Sequence, residues 1–311
     1  MSAILDAFFN PILPIFAVAA IGYFFGKINL FTADMASVIN RFVILVSLPA
    51  LLFSFLVSAP FSEFNWMLVG AYFASSLFIY ATGFCLMRYA FKLGPRESLL
   101  LGMAACFTNH VFFVLYIAPN VYGEAATIPI LSIITFDAFL IFGGTFLYMD
   151  VVVSGARSPV QALKVFLKNP MIIAMIIGLT VGLLNIPVHE GLITYANFTG
   201  AAAAPASMFA LGVVLSGAAI TKFDGPATTI TAMKLFLHPL LLLVACLVLL
   251  PVELSNGDIW AKTMIFAAAG PTGAMPFVIA LQHGVSTDRL VKAIVYTTVL
   301  SLFSLAVLAS F

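Results

Sequence analysis

Apolar residues in this chain neither alternate nor mark a single helical stripe; they run on for about 20 positions at a time, with polar residues gathered in the gaps. Ten such runs fall at 10–26, 36–57, 65–87, 97–119, 126–149, 170–186, 199–220, 228–250, 260–282 and 290–310. At about 1.5 Å per residue, a run of roughly 20 crosses the ~30 Å of hydrocarbon in a bilayer, so each predicts one transmembrane helix. The gaps are short, and the longest, 151–169, has no pattern of its own fold. The expected class is therefore an all-α membrane protein of ten transmembrane helices.

The few cations sit on alternate gaps. Lys27 follows the first run; Arg88, Lys92 and Arg96 the third; Arg157, Lys164 and Lys168 the fifth; Lys222 the seventh; Arg289 and Lys292 the ninth. The even gaps hold Glu63, Glu124, Glu190, Glu253 and Asp258, and Lys262 lies at the edge of the ninth run. Positive charge favours the cytoplasmic side, so the odd gaps are expected inside and both termini outside.

Composition supports this picture. Hydrophobic residues make up 63% of the 311 and charged ones 8%, with a mean hydropathy of +1.17. A soluble domain is roughly 25% charged, so this chain has too little polar surface to face water all round. A net charge of +1 argues against nucleic acid as a partner. Cys85, Cys106 and Cys246 lie inside apolar runs and read as small hydrophobes, with no metal set among them. The opening MSAILDAFFNPILP lacks a basic region and a cleavage site, and reads as the start of the first span.

Five spans per half would place the second half upside down relative to the first. Asn10-Pro11 and Asn169-Pro170, Pro49-Ala50 and Pro205-Ala206, and Gly123 and Gly284 pair at offsets of 159, 156 and 161 residues. Near-constant offsets predict an inverted duplication: residues 1–150 as one five-helix repeat, 151–169 as a cytoplasmic connection, and 170–311 as the second repeat. Inverted repeats with a site between them near the midplane are a recurrent transporter design.

Polar breaks mark two spans. The fourth, GMAACFTNHVFFVLYIAPNVYG, carries Thr108-Asn109-His110 about halfway; the ninth, MIFAAAGPTGAMPFVIALQHG, carries Gly270-Pro271-Thr272-Gly273 at similar depth, with Pro276 beyond. Proline removes an N–H and glycine permits unwinding, and the backbone groups released in hydrocarbon must be satisfied by protein or water. A half-helix beginning there points its positive end at the break, which suits an anion. One such kink reads as packing; two at matched depth predict a substrate site lined by Thr108, Asn109, His110, Gly270, Pro271, Thr272 and Gly273. Prolines in spans one, two, seven and eight read as simple kinks.

Asp137, in SIITFDAFLIF, is the one acid deep in a span. A charge there costs about 2.5–3.5 kcal/mol on insertion scales, so it should face a cavity or a partner. Two readings stand: an interhelical tie, or a coupling residue that carries a proton, with sodium as the rival ion. Arg41 and Lys234 are expected to snorkel to the cytoplasmic face, with His238 deeper. His110 reads either as a packing residue or as a proton carrier. There is no phosphate loop, no HExxH, no aspartyl pair and no potassium-filter sequence, so neither an enzyme nor an ATP-driven pump is expected, and no cofactor. The small-residue tract GAAAAPAS in span seven permits close helix approach, within the fold or at a homodimer interface.

These residues resemble the auxin efflux carrier family, which includes bacterial carriers annotated for malonate. The likeness spans nearly the whole chain and rests on FVILVSLPALLFSFL, KNPMIIAMIIGL, PASMFALGVVLSG, Lys234 followed by Pro239, and AAAGPTGAMPFVIALQHG. It implies two inverted five-span repeats, a scaffold of spans one, two, six and seven, and a transport domain from the rest. It also implies that the broken fourth and ninth spans cross at the substrate site, with Asn109 and Pro271 at the crossover. This chain departs from the family at Tyr116, where relatives typically carry proline; its nearest proline is Pro119. It also lacks the long hydrophilic loop of plant members, as a prokaryotic-type carrier would. The resulting expectation is a secondary transporter of the plasma (bacterial inner) membrane for a small organic anion, malonate-like or auxin-like. A non-transporting sensor or receptor of the same fold is the alternative, and a channel the third.

Overall fold

In the computed structural model, residues 17–155, 158, 160–161, 164, 168–217, 223–249 and 258–309 are described. Asn10-Pro11, Arg157, Lys222 and Glu253 lie outside these residues. The helices are α1 (Ala17–Lys27), α2 (Ala33–Val57), α3 (Trp66–Ala90), α4 (Pro95–Cys106), α5 (110–122), α6 (Glu124–Val152), α7 (Pro170–Leu183), α8 (Glu190–Gly217), α9 (Gly225–Leu249), α10 (Ile259–Ala268), α11 (Met275–Gln282) and α12 (Asp288–Leu308). Six of them, α2, α3, α6, α8, α9 and α12, are long and apolar enough to cross a bilayer, and α1, α7 and α10 are shorter apolar helices. No strand is present among the described residues beyond one isolated bridge.

Local chemistry sets the helix starts. Asn65, Asn169, Asp224 and Asp258 each accept from a backbone amide in the first turn of the helix they precede, replacing a bond that the helix itself cannot make. Proline follows the cap in α7 and α9, where its missing N–H costs nothing. α8 begins at Glu190, nine positions before the seventh apolar run, and carries a turn at Ala201–Ala202 just before Pro205. Among the described residues, five stretches of wider π-helical winding interrupt the regular helices: Val43–Ser47, Leu86–Ala90, His110–Val114, Asp137–Gly143 and Met233–Leu237. Three of these hold a residue that the sequence singles out, in keeping with the tendency of such windings to mark functional positions.

Packing sorts the helices into two groups. α2 lies against α7 and both halves of α8, and α1 joins them through α8: a Cβ on Gly212 would overlap the Ala19 carbonyl oxygen. Gly200, the first residue of the small-residue tract, also lies close to the α2 backbone, where a Cβ would sit 2.8 Å from the Leu51 Cα, so that end of the tract serves contact within the fold. The other group joins α3 to α4, and α9 to α3, α10 and α12. The exterior is apolar, with Phe78, Phe198, Val248 and Phe303 exposed. Water would not tolerate so much apolar surface, whereas lipid tails would cover it.

Candidate functional site

Two helices stop and restart in the middle of the molecule. α4 ends at Cys106, residue 107 is extended, and α5 resumes at His110 with π-helical winding. α10 ends at Ala268 and α11 resumes at Met275. The two unwound stretches meet as an antiparallel bridge between Thr108 and Thr272. The Asn109 amide donates to the Pro271 carbonyl at 2.8 Å, and the Gly273 amide donates to the Phe107 carbonyl at 3.0 Å. Each break thus supplies partners for backbone groups freed by the other, as an apolar interior demands. Thr272 ties the crossing to its neighbours: its hydroxyl donates to the Ala104 carbonyl at 2.8 Å, and its amide donates to the Thr297 hydroxyl at 3.1 Å.

The glycines do more than unwind the chain. A Cβ on Gly270 would lie 2.7 Å from the Thr108 methyl and 2.9 Å from a Val114 methyl. One on Gly273 would lie 2.9 Å from the Phe107 ring. All three distances are below those that real side chains tolerate, so the crossing is this close because both positions lack a side chain. The α5 helix runs on through position 116, so the break sits before that residue, at 107–109, and Pro119 lies within the helix.

Two cavities flank the crossing. One lies beside α2, lined by Leu48, Leu52 and Phe55 together with Thr108, Asn109, His110, Asp137 and Gly273. The other lies beside α1, α8 and α12, lined by Tyr23, Met208, Leu211, Asn109, Thr272 and Thr298. Asn109 borders both. Of the seven residues expected to line a site, five border one cavity or the other; Gly270 and Pro271 do not, and serve instead in the close approach and the backbone pairing.

A buried polar chain leads away from the first cavity. Asp137 is 2% exposed and His110 3%. His110 Nε2 lies 3.0 Å from Asp137 Oδ2 and 3.1 Å from the Tyr72 hydroxyl. The Tyr72 ring packs against the His238 ring, whose Nε2 is 3.2 Å from the Ser76 hydroxyl. Lys234 corrects an expectation: it does not snorkel but is fully buried, donating from Nζ to the Ala268 carbonyl. α9 begins at Gly225, so Lys234 lies about 13 Å along its axis, farther than a lysine reaches toward a helix end. Arg41 is exposed. Tyr72 and Ser76 escaped the sequence reading, although their spacing of four, one face of α3, was a visible signal.

Farther off, Asp150 accepts from Asn169 at 2.7 Å and lies 2.8 Å from His283, joining the ends of α6, α7 and α11. Arg289 pairs with Glu97 at 2.6 Å, and Lys292 with Asp224 at 3.5 Å.

Comparison with known proteins places this arrangement in a family. The family model described as membrane transport protein matches residues 7–155 and 156–309. Among similar proteins, one from Rhizobium meliloti (strain 1021), provisionally named a malonate transporter, is 27% identical over 93% of this chain and 91% of its own. An uncharacterized transporter of Methanothermobacter thermautotrophicus is 23% identical over 95% of both chains. The uncharacterized transporter YfdV of Escherichia coli (strain K12) is 25% identical over 91% of this chain and 90% of its own. This chain belongs to the membrane transport protein family, that of the auxin efflux carriers, and is a multi-pass integral membrane protein.

Proposed function

We propose that this member of the membrane transport family is a secondary carrier that moves a small organic anion by alternating access, and is not an enzyme. The observation that carries the reading is the crossing at Thr108 and Thr272, from which α5 and α11 both start. The first amides of a helix have no acceptor in their own helix and form its positive end. Two such ends beside Asn109, which offers both a donor and an acceptor, can hold a carboxylate without a buried arginine.

Among the described residues, counting each broken pair, α4 with α5 and α10 with α11, as one span would give ten spans. Gly123 and Gly284, which follow the second half of each broken span, both have positive φ, at 87° and 63°. This matched ending supports two inverted repeats, 1–150 and 170–311, joined by 151–169 on the cytoplasmic side. The group of α1, α2, α7 and α8 would be the scaffold and the other helices the moving part.

Asp137 shares its cavity with the proposed anion site. At a spacing of about 6 Å and an effective dielectric of about 20, two carboxylates repel by roughly 3 kcal/mol, about a hundredfold in affinity. A proton on Asp137 removes that penalty, and a sodium ion beside it would do the same, so one cation should enter with each anion. The name of the Rhizobium relative makes malonate the first substrate to try. The test is uptake of labelled malonate and other small carboxylates into proteoliposomes. Counterflow of any of them establishes a carrier, whereas binding without counterflow would make the chain a sensor with a carrier's fold.

A further inference from the structure

Lys234 is fully buried, and among the described residues no carboxylate lies within ion-pair distance of it. Its Nζ donates to the carbonyl of Ala268, the last residue of α10, where that helix stops at the break. The final carbonyls of a helix lack amides from their own helix and form its negative end. Here some of those groups find local partners: the Ile265 carbonyl accepts from the Ala269 amide, and the Ala267 carbonyl from the Gly270 amide, each at 3.1 Å. The Ala268 carbonyl is met by the Lys234 side-chain nitrogen. In membrane carriers with discontinuous helices, such carbonyl ends are places where a small coupling cation binds. An ammonium is a compact point charge with three donors, close to a hydrated alkali ion in what it offers a carbonyl. The lysine is carried there by α9, at the start of the π-helical stretch Met233–Leu237, which packs against α12 and α4.

We propose that the Lys234 ammonium is a built-in cation: it fills a monovalent-cation site at the end of α10, so this half-helix end needs no sodium. Removing the side chain to Cβ opens that site to a small cation from solution, either sodium or methylammonium. The proposal deepens the carrier reading by leaving the cation taken up with substrate to Asp137, but the site itself stands independently of transport.

The experiment compares melting temperatures of the purified parent, Lys234→Ala and Lys234→Met in choline, sodium and methylammonium chloride at about 100 mM, since a ligand of the folded state stabilises by mass action. Lys234→Ala should melt below the parent in choline and recover at least half of the loss in methylammonium or sodium. The parent, its site filled, should melt alike in all three salts, as should Lys234→Met, which fills the space without a charge and should stay below the parent. The idea is overturned if Lys234→Ala melts alike in all three salts or aggregates in all of them, or if Lys234→Met matches the parent. In the same preparations, parent protein that fails to exchange any small carboxylate would defeat the carrier reading without touching this one. Salt-dependent recovery of Lys234→Ala would still establish the site.

Discussion

The Nε2 atom of His110 lies 3.0 Å from Asp137 Oδ2 and 3.1 Å from the Tyr72 hydroxyl, so one ring nitrogen serves a buried acid and a buried phenol. A ring nitrogen carries either a hydrogen or a lone pair, never both at once. When Asp137 is ionised, Nε2–H donates to it and cannot accept from Tyr72. When Asp137 holds a proton, its O–H or the Tyr72 O–H donates to a bare Nε2. His110 is also the first residue of α5, so Asp137 contacts the residue at which the broken helix restarts.

Asp137→Asn keeps the shape and a hydrogen-bonding amide but cannot be charged. The variant should still exchange labelled substrate for unlabelled at equilibrium, while accumulation driven by a pH gradient without sodium falls to background. Running the same vesicles with a sodium gradient at constant pH separates the two ions. If the variant accumulates substrate as the parent does, Asp137 is only a tie between helices.

Asn109→Ala removes the side chain that borders both cavities. A hydrogen bond to a charged ligand contributes about 1.5–3 kcal/mol, so affinity should drop roughly ten- to hundredfold. Thr272→Ala should weaken binding and also lower stability, because its hydroxyl holds the Ala104 carbonyl. Full uptake and unchanged affinity in both variants would put the site elsewhere.

Gly270→Ala should destabilise the protein by about 1–3 kcal/mol, since the new methyl would meet Thr108 and Val114 at 2.7 and 2.9 Å. Gly70→Ala is the control: nothing lies within 4 Å of its Cβ position, and alanine is the better helix former. Thermal melts in detergent should separate the two variants clearly, and equal melting temperatures would mean that the crossing has room for a side chain at position 270.

Ser158 is exposed in the connection between the two halves. In a variant without the three native cysteines, a cysteine at this position should react with an impermeant reagent only after the cytoplasmic face is opened. Labelling in intact cells would reverse the proposed orientation.

Much of this was legible along the chain because hydrocarbon imposes a simple rule. A segment crossing it needs about 20 apolar residues, and any polar interruption needs a reason. The runs therefore located α2, α3, α6, α9 and α12 within a few residues, and the interruptions at Thr108-Asn109-His110 and Gly270-Pro271-Thr272-Gly273 located both breaks. Asp137, as the only deep acid, announced that a partner or cavity would be beside it, and the structure supplies both.

What only the tertiary structure decided is which polar group meets which. The pairing of Asn109 with Pro271 joins positions far apart in the chain, and no local pattern encodes that the two breaks lie against each other. Tyr72 and Ser76 read as ordinary residues of an apolar helix until α3 turns them toward His110 and His238. Lys234 shows the difference most clearly. Its distance along α9 was a matter of where the helix begins, but its burial depended on a carbonyl of another helix, Ala268, waiting at the end of α10. Sequence determines how much of each helix lipid will accept; the direction in which a buried polar side chain points is settled only when the helices pack and each donor must find an acceptor.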